Sequence, residues 1–394
     1  MPGLLPDIDP DGLLEYSVVF SDRALNHMSA RFQAVMRDIA STLERVYHAR
    51  SAIVVPGSGT FGMEAVARQF ATGRRCLVLR NGWFSYRWSQ IFEAGKIPAS
   101  MSVMKARPLR PGPRAPFAPA ALDEVTSAIA RERPELVFAP HVETASGIIL
   151  PDAYLDAVAA ATHAAGGMFV LDCIASGAIW VDMAARGVDI LISAPQKGWS
   201  TSASCGLVML GERARELIDT TQSTSFACDL RKWLGIMEAY EAGGHAYYAT
   251  LPTDSLAHLR DAMRDTERFG FARAREAQQS LGDRVRETLA RRGFPSVAAQ
   301  GFGAPGVVVS YTGDPDLQSG ARFAALGLQT AAGVPLQCDE PADFRTFRVG
   351  LFGLDKLANV DRTVRTLDDA LARALAKSLG GTGADRVGAT RCAG

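Results

Sequence analysis

A mixed, mostly parallel β-sheet with helices on both faces, followed by a smaller C-terminal α/β domain, is the fold class this sequence predicts. Three observations predict it. Short β-branched and aliphatic runs alternate with helical patterns through most of the first 200 residues. Two of these runs, Phe169-Val-Leu-Asp172 and Val188-Asp-Ile-Leu-Ile-Ser193, read as buried strands of a parallel sheet. Another, Cys205-Gly-Leu-Val-Met-Leu210, returns too soon for a crossover helix, so it is expected to be antiparallel and to make the sheet mixed.

Taken in order, a Pro-rich extension over residues 1–24 precedes a helical pattern from about Ser29 to Tyr47 and a strand at Ala52-Ile-Val-Val-Pro56. Gly57-Ser-Gly-Thr60 opens an amphipathic helix through Arg74. The strand Cys76-Leu-Val-Leu79 then leads into an aromatic loop, Asn81-Gly-Trp-Phe-Ser-Tyr-Arg-Trp88. The Pro- and Arg-rich stretch from Lys105 to Pro119 reads as an irregular connection. Helix 121–132, strand 135–140, helix 152–165, strand 168–173 and strand 188–193 continue the alternation. One long charged helix is expected from Asp265 to Arg292, stopped by Gly293-Phe-Pro295. Strands at Val307–Tyr311 and Phe347–Leu351, with helices at 315–326 and 359–378, describe the small domain. The boundaries expected are 25–263 for the large domain, 264–379 for the small one and 380–394 for a Gly-rich flexible tail.

Composition narrows the function classes. A chain of 394 residues exceeds what one core usually serves, and 47% apolar residues suit a globular protein. Lys plus Arg and Asp plus Glu both number 42, so no basic surplus is present to hold nucleic acid or an anionic membrane. The six cysteines are dispersed without a CxxC pair, which suits a reducing cytoplasm. The first residues carry acids and lack the apolar run of a signal peptide, and no stretch is long and apolar enough to span a bilayer.

Lys197 and Asp172 carry the chemistry. Each follows an apolar strand run, and ligands collect at the carboxyl ends of parallel strands. A lysine in a semi-apolar pocket has a lowered pKa, so its neutral amine can form a Schiff base with an aldehyde. An aspartate facing a pyridine nitrogen keeps it protonated, which makes the ring an electron sink. Together they suit pyridoxal 5′-phosphate (PLP).

Other groups gather at the same rim. Gly57-Ser58-Gly59-Thr60 lies between a strand and a helix, where amides and hydroxyls converge either on an anion or only on a helix cap. Trp83 and Phe84 offer an aromatic face for a flat ring, with core packing the alternative. Glu143 and Thr144, in His141-Val-Glu-Thr-Ala-Ser-Gly147, either orient a ligand or cap their own loop. His141 has no recognisable triad partners, and the six histidines show no metal spacing. Arg348 lies in an apolar strand and requires a counter-anion, either a substrate carboxylate or a structural acid.

In this order along the chain, Gly-Ser-Gly-Thr, Asn-Gly-Trp-Phe, the Asp172 strand, Gln196-Lys197 and Arg348 resemble the class V, fold type I PLP-dependent aminotransferases, above all the alanine-glyoxylate and serine-pyruvate group. The resemblance covers about residues 25 to 378. It implies that Ser58, Gly59 and Thr60 hold the cofactor phosphate, Phe84 rather than Trp83 covers the pyridine, Thr144 places a hydroxyl near the ring and Gln196 assists beside Lys197. It implies further that Asp172 pairs with the ring nitrogen, Lys197 is the Schiff-base residue and Arg348 binds the α-carboxylate. Tyr247 and Thr250 resemble the family loop that reaches the neighbouring subunit's phosphate site, which implies a homodimer. Where the family has a Gly-Pro-rich opening, this chain has Val18 to His27, so Arg23, Asn26 and His27 become candidates for substrate recognition. The expected activity is transfer of an amino group from a small amino acid of alanine or serine type to a 2-oxo acid such as glyoxylate or pyruvate. The alternatives are a PLP-dependent lyase, desulfurase or epimerase, or transamination of a phosphonate-type amine. A desulfurase needs a mobile thiol, for which Cys338 is the one plausible loop candidate.

Overall fold

The computed structural model describes residues 7–379. The tail 380–394 lies outside the described residues. Seven strands build the central sheet: β1 (Ser51–Pro56), β2 (Arg75–Arg80), β3 (Ser100–Lys105), β4 (Leu136–Pro140), β5 (Met168–Asp172), β6 (Ile190–Ser193) and β7 (Cys205–Leu210). Their spatial order is β1-β7-β6-β5-β4-β2-β3. The pairs from β6 through β5, β4 and β2 to β3 are parallel, whereas β7 is antiparallel to both β6 and β1. β4, β5, β6 and β7 are buried along their whole length, which is why they read as continuous apolar runs without alternation.

Helices fill the connections. α1 (Ala30–Tyr47) buries Phe32, Val35, Met36, Ile39 and Leu43 at helical spacing; the Ser29 hydroxyl accepts from the Phe32 N–H, and His48 ends it in the left-handed region. α2 (Gly59–Phe70) ends before the expected Arg74, because Gly73 adopts φ +72° and turns the chain into β2. α3 (Trp83–Gly95) replaces the expected aromatic loop. Four aromatic residues with modest helix propensity hid it from a local reading. α4 (Leu122–Glu132) and α5 (Asp152–Ala164) lie where the pattern placed them.

The long helix expected from Asp265 to Arg292 is two helices. After α6 (Leu230–Glu241), α7 (Thr253–Phe269) and α8 (Phe271–Arg291) meet at Gly270, whose φ of +96° breaks the axis. Leu256, Leu259 and Met263 of α7 join the core of the large sheet. Ala274, Leu281, Val285 and Leu289 of α8 join a second core with Phe347 and Leu371. The expected helix 315–326 is likewise split, into Pro315–Ser319 and Ala321–Ala324, at Gly320 with φ +82°. The small sheet runs β8 (Val307–Tyr311), β10 (Thr346–Gly350), β9 (Ala331–Ala332) in space, and α9 (Val360–Leu379) follows it. No helix among the described residues is long and apolar enough to cross a membrane.

Candidate active site

β5 and β6 pair in parallel with Asp172 opposite Ile192, so Asp172 and the loop carrying Lys197 leave the sheet side by side. Ser58, Gly59 and Thr60 at the start of α2 line the cleft of about 150 Å³ into which both open. Phe84, Thr144 and Gln196 also line it, so these eight candidates converge on one site.

The start of α2 has the features of an anion cradle. The Ser58 backbone is extended, and its side chain makes no cap bond, which leaves the hydroxyl free. Gly59 is favoured by contact: a Cβ there would stand 2.6 Å from Ile174 Cδ1, which would have to move. Phe84, not Trp83, faces the cleft, while Trp83 turns to Tyr86 with ring centroids 5.8 Å apart.

Burial pushes the Asp172 carboxyl up to about 7; the Glu143 charge adds to the effect, while an N–H from Ile174 at 2.9 Å and the cations Arg87 and Lys197 oppose it. Lys197 is half-buried. Burial holds its amine below the ordinary lysine range, and the positive charges of Arg348 and Arg87 add to this against the opposing pull of Asp172. Its Nζ lies 5.1 Å from the centre of the Phe352 ring. Arg348 is also half-buried; its Nε donates to the Ala332 carbonyl at 2.7 Å, and its guanidinium carbon stands 5.4 Å from the Phe84 ring centre.

Glu143 is fully buried and caps α3, accepting from the N–H groups of Phe84, Ser85 and Ala145. The two readings open for Glu143 are thereby resolved in favour of a cap, since its oxygens are engaged by backbone. His141 pairs its Nδ1 with the Ser176 hydroxyl at 2.7 Å, and burial lowers its pKa to about 4.

Arg348 does not line the cleft, although its guanidinium stands beside the Phe84 ring, and five further candidates are not brought into it within one chain. Asn26 donates to Glu15 at 2.7 Å and to Ser17 at 3.2 Å, holding the N-terminal segment in place. Tyr247 and Thr250 hydrogen-bond to each other at 3.1 Å, with Tyr247 exposed. Arg23 is exposed, and His27 packs its ring against His245 and Tyr247.

Arg87 is the charged cleft residue that the sequence did not reveal. It lies one helical turn after Phe84, so recognising α3 as a helix would have placed both on one face.

These residues fit a flat, phosphorylated pyridine aldehyde. The cleft offers a cradle with a free hydroxyl, an aromatic wall, a buried acid whose charged form burial disfavours, and an amine held toward its neutral form. A doubly wound sheet bearing this set defines the fold type I class. The family model for aminotransferase class V matches residues 13–302, and the chain belongs to that family. It is a PLP-dependent transaminase.

Among similar proteins, the alanine–glyoxylate aminotransferase of Rattus norvegicus is 26% identical over 363 residues, covering 89% of this chain and 82% of the relative. The 2-aminoethylphosphonate–pyruvate transaminase of Paraburkholderia phymatum is 29% identical over 357 residues, covering 87% and 89%. The solved alanine–glyoxylate aminotransferase from Nostoc sp. superposes with a TM-score of 0.74 at 22% identity, covering 89% of this chain and 88% of that one.

Proposed function

We propose that the protein moves the amino group of a small amino acid, of alanine or serine type, to a 2-oxo acid such as glyoxylate or pyruvate. The observation that carries this reading is the convergence of Lys197 and Asp172, from adjacent parallel strands, on one cleft. The names of the similar proteins support the substrate class. Bound here, PLP supplies an electron-accepting ring that takes up the electron pair left when a substrate Cα–H bond breaks.

This chain's residues do the rest. Ser58, Gly59 and Thr60 would hold the phosphate end, and Phe84 would cover the ring. Asp172 would face the ring nitrogen of the bound cofactor, whose positive charge would favour the ionised carboxylate that burial disfavours. Arg348 clamps the substrate carboxylate and so fixes the direction of the Cα–H bond. Lys197 Nζ, biased toward the neutral amine, removes the Cα proton and holds it for the next transfer.

The active form we infer is a homodimer in which Tyr247 and Thr250 reach the neighbouring subunit's phosphate site. Their hydroxyls lie at an exposed surface, as such a role requires. A cytoplasmic setting is consistent with the five described cysteines, all of them free and buried.

A desulfurase is disfavoured by a specific observation. Cys338 is buried, its thiol contacts the Arg80 carbonyl at 3.4 Å, and burial pushes its pKa up to about 12, which is the opposite of a mobile nucleophile.

Titration of the loaded protein with a panel of amino acids tests the proposal. Alanine or serine should convert the cofactor to pyridoxamine phosphate, and glyoxylate or pyruvate should restore it. Release of ammonia without accumulation of pyridoxamine phosphate would move the reaction to a lyase. Borohydride reduction followed by peptide mapping should place the cofactor on Lys197, and a label elsewhere would refute the site.

A further inference from the structure

We propose that Arg87 is the guanidinium that binds the 5′-phosphate of the cofactor, an assignment that rests on the PLP-dependent reading above. Arg87 projects from α3 into the cleft, where its Nη1 donates to Thr60 Oγ1 at 3.0 Å. Its guanidinium carbon stands 5.3 Å from the centre of the Phe84 ring, so a hydroxyl and an aromatic ring both hold its position.

Among the described residues Arg87 has no carboxylate within ion-pair distance, and the Thr60 contact is its one hydrogen bond. A half-buried guanidinium in that condition retains donors for a ligand, and its planar fork matches phosphate geometry. The acids of the site do not supply the anion. Glu143 is engaged by the start of α3, and Asp172 is held toward its neutral form.

The Thr60 contact also directs a second donor. An arginine N–H occupies a lone pair of the Thr60 oxygen, so the hydroxyl proton is free to point away from Arg87. Thr60, the free Ser58 hydroxyl and the first amides of α2 then face the same volume as the guanidinium. A phosphate dianion is the group that satisfies all of them together. Arg348 stands beside the Phe84 ring, and an anion at Arg87 would offset part of the positive charge these two guanidinium groups bring to it.

The test compares PLP with pyridoxal, which lacks the phosphate. Apo protein is titrated with each while tryptophan fluorescence is followed, for the wild type and for Arg87→Gln. The wild type should prefer PLP strongly. R87Q should weaken PLP binding by about 10- to 100-fold, as loss of a charge-assisted hydrogen bond predicts, and should leave pyridoxal affinity within about threefold. Equal losses for both ligands, or no loss for either, would overturn the assignment. Should R87Q not fold, Arg87→Met is read the same way, and failure of both variants to fold would make Arg87 a structural residue and overturn the proposal. The failure of the PLP reading itself is distinct: wild-type protein would then bind neither ligand.

Discussion

Glu143 and Ser85 are joined by two hydrogen bonds, from the backbone N–H (2.8 Å) and the hydroxyl (2.7 Å) of Ser85 to the same carboxylate oxygen. Residues 58 positions apart thereby close the N-terminus of α3, where Gly82 at the cap position offers no side-chain oxygen. Gly82 makes room for this, since a Cβ there would stand 2.7 Å from Glu143 Cγ. The helix that carries Phe84 and Arg87 is anchored by this contact. Glu143→Ala is expected to cost about 3–5 kcal/mol, because it strands buried donors and removes an anion at a helix start. Glu143→Gln, which keeps one acceptor, should cost less. Urea unfolding of the apo protein checks both, and an unchanged midpoint for E143A would contradict the capping role.

Asp172 predicts a stability change with a definite sign. Its carboxyl titrates near 3.8 when unfolded and at about 7 in the folded apo protein, so the folded state binds the extra proton between those values. Its contribution is fully present below about pH 4 and is lost as the pH rises toward 7. Asp172→Asn should therefore stabilise apo protein above pH 7 by about 2–4 kcal/mol and change little near pH 4. The same variant should lose most transaminase activity. Thermal unfolding across pH measures the first effect, and equal stability of the two proteins at pH 8 would contradict it.

Arg348 acts on substrate and on Lys197. Arg348→Gln should raise KM for carboxylate substrates by about 10- to 100-fold, with a smaller change in kcat. Removing its charge also removes one influence that keeps the Lys197 amine below its ordinary range. The pH at which apo protein begins to capture PLP should therefore move upward in the variant. Steady-state kinetics and capture rates across pH read the two effects separately.

Gly59 and Ile174 form a steric pair, with a glycine Cβ position 2.6 Å from Ile174 Cδ1. Gly59→Ala should destabilise the protein by about 1–3 kcal/mol through overpacking and should weaken cofactor binding. Adding Ile174→Val, which deletes the offending methyl, should recover part of both losses. Purely additive effects in the double variant would show that the clash is relieved elsewhere.

Six of the seven strands of the large sheet were legible because burial leaves a local signature, a run of apolar residues, whereas the edge strand Ser100–Lys105 is exposed or half-buried along its length and left none. Asp172 and Lys197 could be read from the chain alone because each follows such an apolar run. The antiparallel return of Cys205–Leu210 followed from connection length. The breaks at Gly270 and Gly320 were less visible, since a glycine marks a helix end only when its φ is positive, and neighbouring packing settles that angle.

By itself, the sequence determined the alternation of strands and helices, the mixed sheet and the residue types that PLP chemistry needs, because each depends on short-range pattern. Tertiary structure alone decided that Asn81–Trp88 contains a helix start, that Glu143 is its cap and that Arg87 stands over Thr60. These depend on contacts between residues 27 to 59 positions apart, and a linear pattern carries no record of which distant side chain satisfies an open backbone group or leaves a guanidinium without a counter-charge.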